Sequence, residues 1–416
     1  MKPRLRAVAA PFILRAAAAT SLLLAPAAAS ATNGYFSNGY GVRSQSVAGV
    51  GYALPQDGLA AATNPAGTAL VGNRIDLGVS WFHPDRGASI GGQNFDGNDT
   101  HSFIIPELGY THQFNERLSG GVALYGNGGM NTDYAENPFG APGSAGVNLE
   151  QLFVTPSLAY KITPSQTIGA AVTFAYQRFE AKGLSAFDNA GYSSAPGHVT
   201  NQGTDSSTGW GLKLGWTGKV TPSLTLGAGW SSKIKTGAFD KYRGLFAQGG
   251  GFDIPASYGA GFAWQATPSW TLAADWQRIE FSSVKSVGDP LQVLLAGGKL
   301  GTENGPGFGW KDISVIKFGV VHKYNDKLTL RAGYSHSQQP VPSDQTFFNI
   351  LAPGVVRDDY SLGASLKTGA GSEWSLYYAH APKATVNGLN SNPFGGPEIN
   401  LHMSQNLVGL GYTHTF

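Results

Sequence analysis

From residue 75 to the last residue, the sequence repeatedly alternates apolar residues with polar or small ones over segments of about ten residues. In the first of these segments the apolar residues occupy every second position: Ile75, Leu77, Val79 and Trp81. A period of two residues is typical of strands with two distinct faces. Past the first thirty-odd residues, no apolar run has helical length. The chain is therefore predicted to be all-β.

The number and spacing of these segments point to one architecture. We count about fourteen strands, an even number as single-chain bacterial barrels require. Short turns alternate with long loops rich in Gly, Asn and Pro, and three of the turns are Thr-Pro-Ser sequences at residues 163–165, 221–223 and 267–269. Short periplasmic turns and long outer loops are the expected asymmetry of an outer-membrane barrel. The sequence thus predicts a transmembrane antiparallel β-barrel with both termini in the periplasm.

Composition separates a membrane barrel from a soluble all-β domain. Charged residues make up 13% of the chain, where soluble proteins average about 25%. The 58 glycines and the 12% of aromatic residues suit a lipid-facing sheet, which carries aromatic residues at its rims and small residues where strands bend. A soluble sandwich or propeller is the alternative. It has no need of a terminal aromatic residue such as Phe416, which is typical of a last strand recognised by the outer-membrane assembly machinery.

The first thirty-one residues differ from the rest. Four basic residues lie before an apolar stretch, residues 16–29, which ends in the small-x-small sequence of residues 29–31. This pattern predicts a secretory signal peptide, because a membrane anchor needs a longer apolar run of about 20 residues. Its removal reduces the 28 Lys and Arg to 24, against 26 Asp and Glu, so the net charge becomes −2. A basic nucleic-acid surface is therefore not expected.

Residue types needed for catalysis or metal binding are scarce. The chain contains no cysteine, so it has no disulfide, no thiolate nucleophile and no thiolate metal site. Its nine histidines are scattered without metal-site spacing, and no Gly-x-Ser-x-Gly motif is present. We therefore expect no catalytic residue, no metal and no cofactor, which argues against an outer-membrane lipase.

About forty residues rich in glycine separate the signal from the first strand. Within them, Asn64-Pro65-Ala66 fixes a turn, since proline sets its own φ and moves the preceding residue away from helix. One interpretation is a periplasmic tail. The other is a hatch, or plug, folded inside the barrel, because a barrel of this width leaves interior space to fill. The predicted regions are the signal peptide (1–31), the hatch (32–73) and the barrel (74–416).

A series of small, polar and aromatic residues precedes the first strand: residues 37–41 (SNGYG), Gly49, Asp57 and residues 64–66 (NPA). Together they resemble the N-terminal hatch of the FadL/TodX family of outer-membrane fatty-acid and hydrocarbon transporters. Further similar stretches are residues 276–284, 309–312, 337–342 and 407–416. The resemblance covers essentially the whole mature chain, and its most specific element is the Asn-Pro-Ala sequence.

The resemblance implies a monomeric barrel of fourteen strands whose hatch blocks the lumen. A hydrophobic ligand then leaves sideways, through a gap made by an inward kink in the third strand. In this chain the alternation of the third strand stops at Gly126-Asn127-Gly128-Gly129, and glycine in a strand often marks a bulge or bend. These four residues and the hatch turn at residues 64–66 are the candidate gate. The beginning of an outer loop is the alternative for residues 126–129.

The resemblance also implies an outer apolar groove and an interior pocket. Exposed apolar clusters usually indicate a binding surface, and two long loops supply candidates, with packing inside each loop as the alternative: Leu245, Phe246, Phe252, Leu291, Val293, Leu294 and Leu295. A carboxylate ligand would need an interior cation, and Arg178 and Lys311 match basic residues at the family's strand ends; arginine suits bidentate carboxylate recognition. Pairing of these cations with Glu180 or Asp312 is the alternative.

The predicted function is transport of hydrophobic small molecules across the outer membrane by lateral diffusion through the kinked strand. Long-chain fatty acids are the first choice because of the basic residues, and aromatic or other hydrocarbons are the alternative. A general porin would show a charged constriction loop and no hatch, and a structural barrel would share only the strands. The expected partners are the ligand, outer-membrane lipid, lipopolysaccharide and the assembly machinery.

Overall fold

The computed structural model describes residues 33–416, and fourteen long strands within these residues form one closed antiparallel barrel. In chain order the strands are β1 (Arg74–Ile90), β2 (Phe103–Gln113), β3 (Leu118–Tyr134), β4 (Ala145–Thr163), β5 (Gln166–Lys182), β6 (Asp205–Lys219), β7 (Leu224–Ser231), β8 (Ser257–Gln265), β9 (Trp270–Ile279), β10 (Ile313–Lys323), β11 (Leu328–Ser337), β12 (Asp358–Gly369), β13 (Ser372–Val386) and β14 (Ile399–Thr415).

Each of these strands pairs with its neighbours in the sequence, and β14 also pairs with β1 along the full length of β1, which closes the barrel. The predicted all-β barrel of about fourteen strands is therefore confirmed. The predicted signal peptide lies outside the described residues.

Short elements complete the architecture. Two short strands, Gln93–Asp96 and Lys235–Thr236, pair with β1 and β6. The α-helical turns are Val42–Gln45, Ala247–Gly250, Lys285–Gly288, Gln292–Leu295 and Thr346–Asn349. The 3-10 turns are Ala60–Ala62, Pro65–Ala69, Ser185–Phe187, Asp240–Tyr242, Phe281–Ser283 and Ser343–Gln345. Between residues 33 and 416, none of the helices is long and apolar enough to cross a membrane.

The outer wall of the barrel is apolar. Large hydrophobic side chains at alternate strand positions are exposed, for example Leu158, Leu212, Phe318, Leu362 and Leu376. Such exposure is unfavourable in water, whereas a hydrocarbon environment accepts it, as in the lipid-facing band of outer-membrane barrels. The alternation in the sequence therefore separates a lipid face from a lumen face.

Residues 33–73, here called the lumen segment, fill the barrel interior. Barrel carboxylates accept hydrogen bonds from its backbone amides: Glu107 from Gly41 at 2.9 Å, Asp275 from Gly51 at 2.7 Å and Asp76 from Gly58 at 2.8 Å. Arg43 of the segment also forms an ion pair with Glu373 of β13 at 2.6 Å. Because these partners lie on strands all around the barrel, the segment is attached to the wall on several sides.

The Asn-Pro-Ala turn is one of these attachments. The Asn64 side-chain amide donates to the carbonyl oxygens of Tyr52 at 2.7 Å and of Trp216 in β6 at 3.0 Å. Its side-chain oxygen accepts from the Ala66 backbone amide at 3.0 Å and so caps the 3-10 turn that begins at Pro65. The turn therefore ties the lumen segment both to itself and to β6.

A belt of inward-facing barrel glycines lets the lumen segment lie directly against the wall. A Cβ atom at any of them would come within 3.1 Å of an atom of the segment: Gly109, Gly121, Gly169, Gly215, Gly227, Gly229, Gly259, Gly319, Gly333, Gly363 and Gly411. Eleven of the 58 glycines thus serve the contact between the wall and the segment inside it, a role in addition to the lipid-facing one expected from composition.

The lipid face gives a first prediction. Leu362 on β12 and Leu389 in a long loop are equally exposed, at 62% each. Leu362→Arg places a charge in hydrocarbon and lowers the unfolding free energy by about 2–4 kcal/mol. Leu389→Arg is the matched control and leaves it nearly unchanged. Urea unfolding of both variants in lipid vesicles measures the difference, and equal losses would contradict a lipid-facing position for Leu362.

The glycine belt gives a second prediction. A Cβ atom at Gly227 would collide with the backbone carbonyl of Tyr52, whereas one at Gly369 meets no atom within 4 Å. Gly227→Ala therefore displaces the lumen segment and produces a steady ion conductance in planar bilayers. The unchanged protein and the control Gly369→Ala remain closed. If Gly227→Ala also remains closed, the segment does not depend on this contact to fill the lumen.

Candidate site for ligand passage

The third strand bends away from β2 at residues 126–129. Pairing between β3 and β2 covers only Ser119–Leu124 on the β3 side, although pairing between β3 and β4 continues to Tyr134. The register of the second pairing shifts between Gly126 and Gly128, which makes Asn127 an extra residue. A bulge of this kind bends a strand. The interruption of the alternation in the sequence thus coincides with a bulge.

The bend leaves a part of the wall without strand pairing, which we call the window. On one side, residues 103–107 of β2 pair with β1 but not with β3; on the other, residues 125–132 of β3 have no pairing with β2. The pair Leu108–Leu124 borders the window at one end, and a bridge between Asn98 and Asp133 borders it at the other. The window therefore has fixed ends and an open middle.

The beginning of the lumen segment covers the window from inside. Residues 33–37, here called the tip, run antiparallel to β3, with a bridge between Phe36 and Gly128. Two backbone hydrogen bonds hold the tip to the bulge: Ser37 N–H to the Asn127 oxygen and Gly129 N–H to the Tyr35 oxygen, both at 2.9 Å. The tip thus replaces β2 as the partner of the bent strand.

The Asn127 side chain adds a polar link at the same place. Its oxygen accepts from the Tyr40 hydroxyl at 2.8 Å, and its amide donates to Gln151 of β4 at 3.0 Å. The extra residue of the bulge therefore joins the lumen segment to the wall behind the tip.

A small interior pocket lies beside the tip, and Phe36, Tyr40 and Phe153 are among its apolar lining. Two buried lysines also line it. The Lys213 ammonium donates to the Ala62 carbonyl at 2.9 Å, and the Lys317 ammonium donates to the Asn38 carbonyl at 2.6 Å. Both cations are therefore engaged with the lumen segment.

The residues predicted to supply the interior cation lie elsewhere. Arg178 is on the outward face of β5, two positions beyond the exposed Tyr176, and its guanidinium lies 3.6 Å from the Glu150 carboxylate. Lys311 is exposed in the connection before β10. Neither lines the interior pocket, since strand alternation turns Arg178 away from the lumen and Lys311 precedes the wall.

Sequence reasoning missed Lys213 and Lys317. The signal was present, because each lysine stands between two outward apolar residues of an alternating strand: Leu212 and Leu214, and Ile316 and Phe318. A lysine at such a position faces the lumen. The predicted acceptor Asp312 pairs instead with Arg278, at 3.4 Å.

A second small cavity lies among the long loops. The predicted groove residues Leu245 and Phe246 line it together with Phe179 and Phe308. Ser286 is the only residue with a polar side chain among those that line it. This outer cavity is therefore apolar and contains no charged group with which to pair an ionised ligand.

The other predicted groove residues do not line the outer cavity. Phe252 is buried against Phe246, with ring centroids 4.9 Å apart. Leu291 and Leu294 are buried in the large hydrophobic core to which the lumen segment, the strands and several loops all contribute. Val293 is partly buried and Leu295 is exposed.

A column of aromatic rings connects the outer cavity to the tip. The ring centroids of Phe179 and Phe246 are 4.6 Å apart, and Phe246 and Phe252 follow at 4.9 Å. Phe252 lies 6.0 Å from Tyr35, which lies 5.3 Å from Phe36. These separations are those of favourable aromatic pairs. The outer cavity, the tip and the window are thus joined by continuous apolar contact.

The lumen segment also contains an unusual carboxyl group. Burial, and secondarily the charge of Asp76, raises the pKa of Asp57 to about 6, although Arg74 and Arg43 act in the opposite direction. Within residues 33–416, no three His, Asp or Glu residues are arranged to bind a metal ion.

Similarity to known proteins agrees with this geometry. The model of the family described as outer membrane protein transport protein (OMPP1/FadL/TodX) matches residues 28–416. The solved structure of a Pseudomonas aeruginosa FadL homologue has a TM-score of 0.69 at 19% identity, covering 92% of this chain and 100% of its own. No curated protein matches the chain.

Two further solved structures are toluene transporters. TodX of Pseudomonas putida has a TM-score of 0.69 at 21% identity, covering 92% of this chain and 100% of its own. TbuX of Ralstonia pickettii has a TM-score of 0.65 at 20% identity, covering 91% and 99%. At such identities the structural similarity shows the fold.

The family itself is shown by the match over nearly the whole sequence, which confirms the resemblance found in the sequence. Its members are transport channels of the outer membrane and not enzymes. The chain therefore belongs to the OMPP1/FadL/TodX family of outer-membrane transporters of hydrophobic compounds.

Proposed function

We propose that the protein takes up small uncharged hydrophobic molecules, aromatic hydrocarbons first among them, and releases them sideways through the window between β2 and β3. The observation that carries this proposal is the aromatic column between the outer cavity and the tip. An uncharged ring gains from contact with such side chains and leaves no charge unpaired.

The lateral route follows from the lumen segment. Its body, residues 38–73, is attached to strands around the barrel and leaves no straight passage. The window opens instead toward the lipid face, where Ile104 of β2 is 52% exposed. Transfer of an apolar solute from the window into hydrocarbon is favourable because the solute avoids water.

The tip is the part that moves. Two backbone hydrogen bonds attach it to the bulge, and a protein hydrogen bond contributes only about 0.5–1.5 kcal/mol net. The body has buried carboxylate and ion-pair contacts, and the turn at residues 64–66 belongs to it. Residues 126–129 therefore act as the gate, whereas Asn64, Pro65 and Ala66 act as an anchor.

Long-chain fatty acids are the second candidate. Lys213 and Lys317 in the interior pocket favour them, since a carboxylate gains from a nearby ammonium group. Both lysines already donate to carbonyl oxygens, and the outer cavity has no charged lining. Two of the similar structures are toluene transporters and one is a FadL homologue, so we rank hydrocarbons first.

The orientation in the membrane follows from the connections. The short turns lie at the end of the barrel where β1 begins and β14 ends, and the long loops lie at the other end. We place the first end in the periplasm together with both termini, and the loops outside among lipopolysaccharide. We expect a monomer, because the pairing of β14 with β1 leaves the first and last strands no open edge for a second copy.

The gate gives a third prediction. A Cβ atom at Gly128 would collide with the Tyr35 carbonyl of the tip, whereas one at Gly126 meets the Ile105 side chain and no atom of the tip. Gly128→Ala therefore detaches the tip and raises the initial rate of toluene uptake by about fivefold or more, because two lost hydrogen bonds together amount to about 1–3 kcal/mol. Gly126→Ala is the matched control. Equal rates in both variants would mean that the tip is not the gate.

Substrate choice gives a fourth prediction. Cells without their own transporter, expressing this chain, take up labelled toluene faster than empty cells, whereas labelled oleate enters no faster. Replacement of Asn64, Pro65 and Ala66 by glycine abolishes the preference for toluene over oleate, because a lumen segment without its anchor no longer forms the interior pocket and no longer closes the lumen. The reverse preference, for oleate, establishes the fatty-acid candidate. If neither compound enters faster despite normal barrel assembly, the proposal fails for both classes.

A further inference from the structure

Arg86 on β1 is buried, with 1% of its surface exposed, and its guanidinium has no carboxylate partner within residues 33–416. All the hydrogen bonds of the guanidinium go to neutral oxygens. Nε donates to the Asn131 backbone oxygen and Nη2 to the Thr100 backbone oxygen, both at 2.7 Å; Nη1 donates to the Asn98 side-chain oxygen at 3.2 Å. Nη2 also contacts the Asn131 side-chain oxygen.

The oxygens just named belong to two elements other than β1, the strand that carries Arg86. Asn98 and Thr100 lie in the connection before β2, and Asn131 lies on β3 beyond the bulge. Backbone hydrogen bonds join the same pieces: Gly97 to the Arg86 oxygen at 3.1 Å, Asp133 to the Gly97 oxygen at 3.0 Å and Asp99 to the Asp133 oxygen at 3.1 Å. Arg86 therefore lies at the border of the window that faces the long loops.

The link continues across the next strands. The Asn131 side-chain amide donates to Asn148 of β4 at 3.0 Å, and the Asn148 amide donates to Glu150 at 2.8 Å. Glu150 in turn pairs with Arg178 of β5. Asn131 is thus held from both sides, by Arg86 across the window border and by this row of side chains. Arg178 does not line the interior pocket; it is the last side chain of this row, through its ion pair with Glu150.

The same arginine borders an apolar space on the inner side of the window. Its neighbours in the lining of this space include Phe103, Met130, Trp310 and Gly34 of the tip. The guanidinium carbon lies 5.8 Å from the centre of the Phe103 ring, within the range of a cation–π contact. A molecule that leaves the aromatic column for the window therefore passes the Arg86 side chain.

We propose that Arg86 is a clasp that fixes this border of the window and so limits the size of the molecules that pass. The proposal rests on the lateral route proposed above. Beyond the bulge β3 has lost its pairing with β2, so the planar fork of Arg86 holds it to β1 and to the connection before β2. Without the clasp, the Asn131 and Thr100 oxygens lose their hydrogen-bond donor from β1, and the border separates.

Hydrogen exchange tests the clasp without any transport measurement. Arg86→Met removes every donor at nearly equal side-chain length, and amide exchange at Asp99 and Asp133 then accelerates about tenfold or more. Lys182→Met is the matched control, since it removes an ion pair with Asp133 at the same end of β3 and leaves Arg86 in place. Arg86→Lys keeps the charge but not the planar guanidinium, and it gives an intermediate exchange rate. It replaces Arg86→Met in the test if Arg86→Met assembles poorly. Unchanged exchange in both Arg86 variants overturns the clasp.

Uptake tests the size limit. In cells expressing the unchanged chain or Lys182→Met, toluene enters faster than the three-ring hydrocarbon phenanthrene; with Arg86→Met, the ratio of phenanthrene to toluene uptake rises several-fold. Faster exchange with an unchanged uptake ratio overturns the size limit. If the unchanged chain takes up neither hydrocarbon, the proposed function fails, and exchange alone still decides whether Arg86 holds the border.

Discussion

The polar backbone of the lumen segment must find hydrogen-bond partners inside a closed barrel, and the rest of the structure depends on how it does so. A buried peptide group without a partner costs as much as a lost hydrogen bond. The wall meets this need with carboxylates such as Glu107 and Asp275, which accept from backbone amides, and with Lys213 and Lys317, which donate to carbonyls. Inward glycines then let backbone lie against backbone. Barrel and segment therefore share one core.

This shared core bears on the route that we propose for the ligand. The body of the lumen segment is fixed at many points, so it does not leave the lumen as a rigid piece. The tip is different, because its hydrogen-bonding partner is a strand that has already separated from its neighbour at Asn127. One bulge thus produces both the unpaired part of the wall and the strand edge that holds the tip. The gate movement that we propose leaves the attachments of the body intact.

The sequence predicts the barrel well because each strand lies between two different environments. Side chains that face lipid are apolar and alternate with side chains that face the packed lumen, so the sequence has a period of two residues. The same rule located the bulge at residues 126–129, where the pattern stops. The same period of two also decides which way charged side chains face, and the predicted positions of the interior cations did not take this into account. Tyr176 faces lipid, so Arg178 faces outward as well, and Lys213 between two leucines faces the lumen. The packing of Leu291 and the partners of Arg86 depend on contacts between distant segments, which no local pattern contains.

The buried cations share a property that bears on the ligand. Lys213, Lys317 and Arg86 all donate to neutral oxygens of the protein, so each positive charge already stabilises a junction between elements. A carboxylate that bound Lys317 would take the ammonium from the Asn38 carbonyl and leave that carbonyl buried without a partner, which offsets part of the gain. An uncharged ring that follows the aromatic column breaks no such bond. The distribution of charge in the lumen thus supports the proposed preference for hydrocarbons with a physical argument that does not depend on similarity to other transporters.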